Sequence, residues 1–258
     1  MERTIGKSVI NYTKQKHGSK NPGVRQYFAA RHKYLVFKRG IDIVSALLVI
    51  FFVFPWFFPI IMLLIRLDSR GSVFFKQKRI GFLGRTFWCY KFRTMYLNDV
   101  ADTRQAIKDD PRVTRIGRVL RSTGLDELPQ FINVLLGHMS IVGPRPHMLK
   151  DSREFSEVVT NYKFRHLVRP GITGMSQVRG WRGPASTFQS IFRRYQWDAY
   201  YVRNINFVLD LKIMAETGWL MLRSLLLRSE SLPEERVVYD HSPDIQGGLL
   251  HSNKAVAD

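Results

Sequence analysis

The sequence has a single cysteine, Cys89, so no disulfide can form within the chain. That scarcity is typical of a reducing compartment and favours the cytoplasmic side. The 7 histidines are scattered and, with one cysteine, offer no zinc-ligand spacing. The phosphate-loop, dinucleotide-binding and metalloprotease motifs are absent too. These absences exclude a disulfide framework, a zinc module and the commonest nucleotide-binding motifs.

Acidic residues are also few, because 21 Asp and Glu face 40 Lys and Arg, for a net charge of +19. A balance this basic indicates a polyanionic partner, which can be nucleic acid, an anionic membrane face or a phosphorylated substrate. The total charge does not choose among the three.

A long apolar run is what the sequence has in place of those motifs. Residues 43–65 contain no charged side chain and consist mainly of Val, Leu, Ile and Phe. Roughly 20 such residues suffice for a spanning helix, so the run predicts a membrane segment. A signal peptide is excluded, because the run starts too late, is too long and has no cleavage site after it.

Two features of the run leave its topology open. Basic residues flank it on both sides, whereas a simple spanning helix has a Lys/Arg bias to one side. Pro55 lies near its middle and Pro59 one turn later, and each removes a backbone donor and kinks a helix. The segment is therefore either a re-entrant helix-break-helix with both ends in the cytoplasm or a kinked spanning helix.

The chain divides into four predicted parts. They are a basic N-terminal segment over 1–37, the membrane segment over 38–69, a mixed, helix-rich α/β domain over 70–228, and a polar tail over 229–258 that we expect to be disordered. Within the domain we expect short extended segments at 72–75 and 86–92. Helices are predicted by their apolar periodicity or composition at 98–109, 127–136, 188–202 and 207–227.

Asp126-Glu127-Leu128-Pro129 is the most suggestive tetrapeptide. Proline is tolerated only in the first turn of a helix, so Pro129 predicts Asp126 at the N-cap and Glu127 in the first turn. A helix N-terminus favours phosphate, which makes this a candidate substrate site. Ordinary helix capping by Asp explains the same pattern.

Four arginines precede that tetrapeptide at every third position: Arg112, Arg115, Arg118 and Arg121. At a helical pitch they would share one face that leads to the two carboxylates. A basic face beside paired carboxylates suits a phosphate-bearing substrate with a bridging Mg²⁺. A solvated charged face is the alternative.

Three further basic residues lie in stretches where the sequence restricts the backbone conformation. Lys91 and Arg93 alternate with apolar neighbours, so in a strand they would share a face and either pair with the acidic dyad or point into water. Arg145 lies between Pro144 and Pro146 on a stiff backbone, which suits bidentate phosphate recognition, although an arginine in a surface loop reads the same way.

In several stretches, taken in order, the chain resembles the bacterial sugar transferase family, the monotopic phosphoglycosyl transferases. The resemblance covers Lys38 to about Leu225. It is carried by the stretches 38–42, 66–69, 73–77, 91–95, 110–118, 125–130, 140–146 and 169–174. Each stretch alone is a weak signal, and their shared order makes the match specific.

The resemblance implies a re-entrant membrane helix bent near Pro55 and a catalytic domain facing the cytoplasm at the bacterial inner membrane. It implies transfer of a sugar 1-phosphate from a UDP-sugar to polyprenyl phosphate, with Mg²⁺ and an aspartyl phosphosugar intermediate. By position, Asp126 matches the nucleophile, Glu127 its partner, Lys91 a residue that pairs with the dyad, and Arg145 a phosphate-binding arginine. We expect Asp126 and Glu127 to hold Mg²⁺, and Glu127 either serves that role or assists proton removal.

Two departures from the family pattern lie near the membrane segment, where Phe54 replaces a serine and Ser72 replaces a proline. The stretch Gly180-Trp181-Arg182-Gly183 is similar to members that transfer glucose phosphate, although the acidic residues that follow there are absent here.

The resulting hypothesis is an enzyme that makes polyprenyl-diphospho-sugar and UMP, with membrane lipid and a second copy of the chain as possible partners and no nucleic acid. The rival hypothesis is a basic, membrane-anchored protein without catalytic activity that binds nucleic acid or anionic lipid. It accounts for the charge and the anchor but gives Asp126, Glu127 and Arg145 no role.

Overall fold

The computed structural model describes residues 22–226 except 100, 102, 103, 108, 184 and 186. The predicted disordered tail over 229–258 and the first part of the basic segment lie outside these residues. The described part is a helix-rich α/β structure with two small sheets, as the sequence predicts.

Two helices at the N-terminal side form a bent pair. Helix α1 runs over Pro22–Phe52 and α2 over Phe54–Asp68, with a bend of 63° between them. The break falls at Val53, because Pro55 has no N–H to donate and its ring clashes with the preceding turn. The predicted boundary between residues 37 and 38 lies inside α1, so the basic residues from 22 onward are helical.

In length and composition, no single helix of the described residues meets the requirements for crossing a bilayer, whereas α1 and α2 together do. Large apolar side chains cover the outer faces of both. The most exposed are Phe51, Phe52, Trp56, Ile60 and Leu67. An apolar surface of this extent marks contact with lipid or with another protein.

Charged side chains fasten α1 to the rest of the molecule, and they belong to the stretch 38–42. Lys38 forms a buried ion pair with Asp210. Arg39 donates to the carbonyls of Val134 and Leu135 at 2.7 and 3.0 Å. Asp42 is buried and accepts from the hydroxyl of Ser140 and the N–H of Ile141, both at 3.0 Å. This family stretch therefore docks the apolar helix on the domain.

The sheets are a hairpin and a parallel pair. Strands β1 (Phe74–Ile80) and β2 (Thr86–Phe92) are antiparallel, with Phe75 opposite Lys91. Strands β3 (Ser140–Val142) and β4 (Gly171–Thr173) are parallel. Their backbones approach so closely that a Cβ on Gly143 would lie 2.3 Å from the Arg169 carbonyl oxygen. The glycines of both family stretches are thus required by packing.

Six further α-helices and three short 3-10 helices, at Phe82–Gly84, Leu125–Glu127 and Tyr162–Leu167, complete the described chain. The α-helices are α3 (Arg115–Thr123), α4 (Gln130–Leu135), α5 (Leu149–Val158), α6 (Met175–Val178), α7 (Phe188–Asn204) and α8 (Phe207–Leu226). The predictions of α7 and α8 are confirmed to within two residues at each end. The helix predicted over 98–109 is wrong for the described residues of that stretch, which are turns, bends and irregular backbone.

The largest core cluster lies between α7, α8 and the parallel strands, around Val142, Tyr201, Val202 and Ile213. A second cluster packs Ala46 of α1 against Cys89 of β2 and Val134 of α4. The two clusters join the bent helix pair, the hairpin and the C-terminal helices into one framework.

Asn133 links α4 to the hairpin and generates a stability prediction. It is fully buried, donates to the Trp88 carbonyl at 2.7 Å and accepts from the Tyr90 N–H at 2.9 Å. Asn133→Leu keeps the volume but leaves two backbone groups unpaired, at a cost of roughly 1–3 kcal/mol each. We expect a clearly lower thermal unfolding midpoint in detergent. The exposed Asn204→Leu is the matched control, and an equal effect of the two would refute the assignment.

Candidate active site

The two adjacent carboxylates stand on a tight turn. After α3, Gly124 adopts a left-handed conformation with φ of 73°, and a 3-10 turn follows over Leu125–Glu127. The predicted N-cap role of Asp126 is wrong, because α4 begins only at Gln130 and Pro129 occupies its N-cap. The two carboxylates are therefore presented by a 3-10 turn and not by the N-terminus of a long helix.

Glu127 is held between two cations. The Lys91 Nζ lies 2.6 Å from its Oε1. Arg145 reaches the same oxygen with Nη2 at 2.8 Å and approaches Oε2 with Nη1 at 3.5 Å. Lys91 comes from β2 and Arg145 from the loop after β3, so Glu127 connects three separate parts of the chain. The predicted pairing of Lys91 with the dyad is confirmed.

The two carboxylates of the dyad have opposite electrostatic surroundings. Burial opposes the ionisation of Glu127, yet Arg145 and Lys91 hold its pKa well below the usual range. Burial raises the pKa of Asp126 to about 6, with Lys91 lowering it and Glu127 raising it. Glu127 is thus stabilised in its ionised form by its two partners, whereas burial favours the neutral form of Asp126.

Asp126 is also the carboxylate that faces open space. It lines a cavity of about 250 Å³ together with Lys91, Arg121 and Arg145. Among the residues that the structure describes, none donates a hydrogen bond to the Asp126 carboxylate or forms an ion pair with it. Its oxygens are therefore available to a ligand in the cavity.

The four arginines of the Arg112–Arg121 series occupy different surroundings in the structure. Arg121 lines the cavity beside Asp126, whereas Arg115 and Arg118 are exposed and lie outside its lining. The interpretation of a single basic face is wrong for Arg112, because α3 starts only at Arg115. Arg112 instead forms an ion pair of 2.6 Å with Asp110, which raises the pKa of Arg112.

Capping and packing explain much of the stretch 110–118. The Thr114 hydroxyl caps α3 by accepting from the Gly117 N–H at 2.9 Å. The first turn of α3 also donates to Asp68, from the Ile116 N–H at 3.0 Å. A Cβ on Gly117 would lie 2.0 Å from the Thr94 carbonyl oxygen, so only glycine fits. This stretch orients α3, which in turn places Arg121 and the dyad.

Arg93 has a different role from Lys91. Its guanidinium donates to the carbonyls of Ser69 and Arg70, each at 2.7 Å, just beyond the end of α2. Strand β2 ends at Phe92, so the strict alternation that would place the two cations together stops there. Arg93 thereby fastens the cavity wall to the bent helix pair.

A buried network behind Arg145 was missed by the sequence analysis. Arg165 forms an ion pair of 2.6 Å with Asp198, which also accepts from Ser176 at 3.0 Å. The same guanidinium donates to the Arg145 carbonyl at 2.7 Å. Arg165 and Asp198 are 33 positions apart in elements of different type, so no local pattern signals their pairing. The network fixes the backbone that carries Arg145.

The donor set at the dyad fits Mg²⁺. This ion is usually bound by one or two carboxylates and completed by water and substrate phosphates. Asp126 supplies a carboxylate to the cavity lining, and Glu127 follows it directly in the chain. Over the described parts of 22–226, no group of three or more His, Cys, Asp or Glu is placed to hold a metal ion, so an ion here would depend on water and substrate phosphates for its remaining ligands.

The chain is similar to known proteins over most of its length. A family model described as bacterial sugar transferase matches residues 33–224. The exopolysaccharide production protein PSS of Rhizobium leguminosarum bv. phaseoli is 47% identical over 188 residues, which are 71% of this chain and 94% of that protein. A UDP-glucose:undecaprenyl-phosphate glucose-1-phosphate transferase of Escherichia coli (strain K12) is 45% identical over 179 residues, which are 69% of this chain and 38% of that protein.

A third relative differs in the sugar that its name gives. A UDP-N-acetylgalactosamine-undecaprenyl-phosphate N-acetylgalactosaminephosphotransferase of Aeromonas hydrophila is 41% identical over 188 residues, 71% of this chain and 43% of that protein. The chain spans less than half the length of the Escherichia coli and Aeromonas proteins.

The contact of both Arg145 Nη atoms with Glu127 generates a prediction about anion binding. Arg145→Lys keeps the charge but cannot hold Glu127 and a phosphate oxygen with two parallel N–H groups. We expect the affinity for inorganic pyrophosphate, measured by calorimetry with Mg²⁺ present, to fall about tenfold, because one charged hydrogen bond contributes roughly 1.5–3 kcal/mol. The exposed Arg153→Lys is the control, and unchanged affinity in Arg145→Lys would contradict the role.

Proposed function

The chain belongs to the bacterial sugar transferase family, and from this premise we propose that it transfers a sugar 1-phosphate from a UDP-sugar to undecaprenyl phosphate. The products are undecaprenyl-diphospho-sugar and UMP, as in the first membrane step of exopolysaccharide or glycoconjugate assembly. The proposal is supported by the names of the relatives and by the cationic cavity around Asp126.

The observation that carries the proposal is that the two carboxylates differ in their ion-pair partners. Glu127 is occupied by Lys91 and Arg145, whereas Asp126 faces the cavity without a partner among the described residues. A nucleophile needs free lone pairs, and a buried carboxylate is less solvated and more reactive than one in water. Asp126 is therefore the group that we propose attacks phosphorus.

The proposed reaction has two steps. An Asp126 oxygen attacks the sugar-bearing phosphorus, the bond from that phosphorus to the bridging oxygen breaks, and UMP leaves with that oxygen. A phosphate oxygen of the lipid then attacks the same phosphorus, and the Asp126 carboxylate leaves. Because the intermediate is covalent, the soluble and the lipid substrate need not occupy the 250 Å³ cavity together.

The surrounding cations would stabilise the negative charge of the substrate phosphates. Arg121 and Arg145 line the cavity beside Asp126 and would offset repulsion between its carboxylate and the diphosphate. We propose that Asp126 and Glu127 hold Mg²⁺, which when bound supplies positive charge to the diphosphate. Lys91 keeps Glu127 in place for that task.

We propose the inner membrane as the site of action, with α1 and α2 as a re-entrant pair and the domain facing the cytoplasm. The 63° bend beside Pro55, the exposed apolar faces and the basic flanks support this topology. Lys38, Arg39 and Asp42 bind domain groups near the start of the apolar run. They would therefore hold the catalytic domain against the membrane face.

The sugar is proposed to be glucose. The stretch 180–183 is similar to glucose-transferring members, and its Gly183 lines the cavity. The Arg194 guanidinium donates to the Gly183 carbonyl at 2.9 Å, which anchors this stretch.

Release of UMP tests the proposed reaction. Purified protein in detergent is incubated with Mg²⁺ and undecaprenyl phosphate and with UDP-glucose, UDP-galactose or UDP-N-acetylgalactosamine in turn. We expect UMP release that requires both Mg²⁺ and the lipid for turnover and is fastest with UDP-glucose. Asp126→Asn should reduce turnover at least about a thousandfold, because an amide cannot attack.

The matched control is Asp109→Asn, which changes an exposed aspartate whose φ of 52° suits asparagine. It should retain wild-type turnover. Full turnover in Asp126→Asn would show that another group attacks, and no UMP release with any of these sugars would refute the proposed donor class.

The re-entrant topology predicts that both ends of the apolar run are cytoplasmic. Lys33→Cys and Ser72→Cys place exposed thiols on either side of it. The native Cys89 stays silent, because it is buried and burial raises the pKa of its thiol. We expect an impermeant maleimide to label neither thiol in spheroplasts and both in inverted vesicles. Labelling of one thiol from outside would indicate a spanning helix.

A further inference from the structure

The wall of the cavity reaches the end of the bent helix pair. Arg93 and Leu97 both line the cavity. Arg93 donates to the Ser69 and Arg70 carbonyls, directly after α2 ends at Asp68. A Cβ on Gly71 would lie 3.0 Å from the Leu97 Cδ1, so Leu97 lies against the chain where it leaves α2. The cavity is therefore adjacent to the membrane end of the domain.

Some of the side chains near this junction are apolar and exposed. Leu97 is 71% exposed and Tyr96 is 50% exposed, although both line the cavity. Leu67, near the end of α2, is 75% exposed. Exposed apolar side chains thus lie both near the end of α2 and at the rim of the cavity, whose lining also carries Arg121, Arg145 and Asp126.

A ligand that matches this arrangement is amphiphilic, with an anionic head for the interior and an apolar chain for the rim. A nucleotide sugar has no long apolar chain that could cover this rim. We propose that Leu97 and Tyr96 form the entry for the prenyl chain of the lipid phosphate, which reaches the cavity along the end of α2. This inference rests on the proposed function, since it assigns a place to its lipid substrate.

The test compares the two substrates in one variant. Leu97→Asp puts a charge on the rim, and we expect its KM for undecaprenyl phosphate to rise about tenfold or more, the factor expected from losing one buried leucine contact. Its KM for the UDP-sugar should remain unchanged. The measurement uses full-length protein in mixed detergent micelles of fixed composition.

Ile107→Asp is the matched control. Like Tyr96 and Leu97, Ile107 is exposed and lies in the segment after β2, but it does not line the cavity. It should leave both KM values unchanged. Tyr96→Asp should repeat the effect of Leu97→Asp. Farnesyl phosphate, with its short chain, should show a smaller difference between wild type and Leu97→Asp than undecaprenyl phosphate.

Several results would overturn the inference while leaving the proposed function intact. One is an unchanged lipid KM in Leu97→Asp, and another is an equal rise in both KM values. A third is an effect of Ile107→Asp as large as that of Leu97→Asp. Weaker membrane association with an unchanged lipid KM would show that the bilayer surface, or a second copy, covers Leu97. A wild-type protein without lipid-dependent UMP release would instead refute the proposed function.

Discussion

The site depends on one constraint, the position of Glu127 between Lys91 and Arg145. The two cations compensate a buried carboxylate, which would otherwise be strongly destabilising. Once Glu127 is fixed, its neighbour on the 3-10 turn must point elsewhere, and Asp126 lines the cavity. The same three charged groups also tie together the hairpin, the turn after α3 and the loop after β3. The contacts that hold these parts together are therefore also the contacts that build the site.

The rest of the framework keeps those three charged groups in register. Asn133 locks α4 to β2, and so holds the turn that carries Glu127 at the strand that carries Lys91. Arg165, compensated by Asp198, grips the backbone of Arg145. The stretch 38–42 adds the bent helix pair to this frame through buried polar contacts. Each of these contacts positions the site while remaining outside it.

The sequence predicted what depends on local pattern. Apolar composition predicted the long N-terminal apolar segment and the C-terminal helices, and Pro55 predicted the break in that segment, because each is set by neighbours in the chain. The pairing of Lys91 with the dyad came from resemblance. The partners of Arg112 and Arg93 and the ion pair of Arg165 with Asp198 were not predictable, since tertiary contacts decide where a long side chain ends. The N-cap prediction for Asp126 failed because a 3-10 turn replaced the first helical turn.

The central claim is that Asp126 attacks phosphorus and carries the sugar phosphate covalently. The most direct measurement is the intact mass of the protein after incubation with UDP-glucose and Mg²⁺ without lipid, followed by peptide mapping. The account predicts one added hexose phosphate on Asp126, released when undecaprenyl phosphate is supplied. Turnover by a protein that never carries the added mass, with initial-velocity lines that intersect, would establish direct transfer and contradict the account.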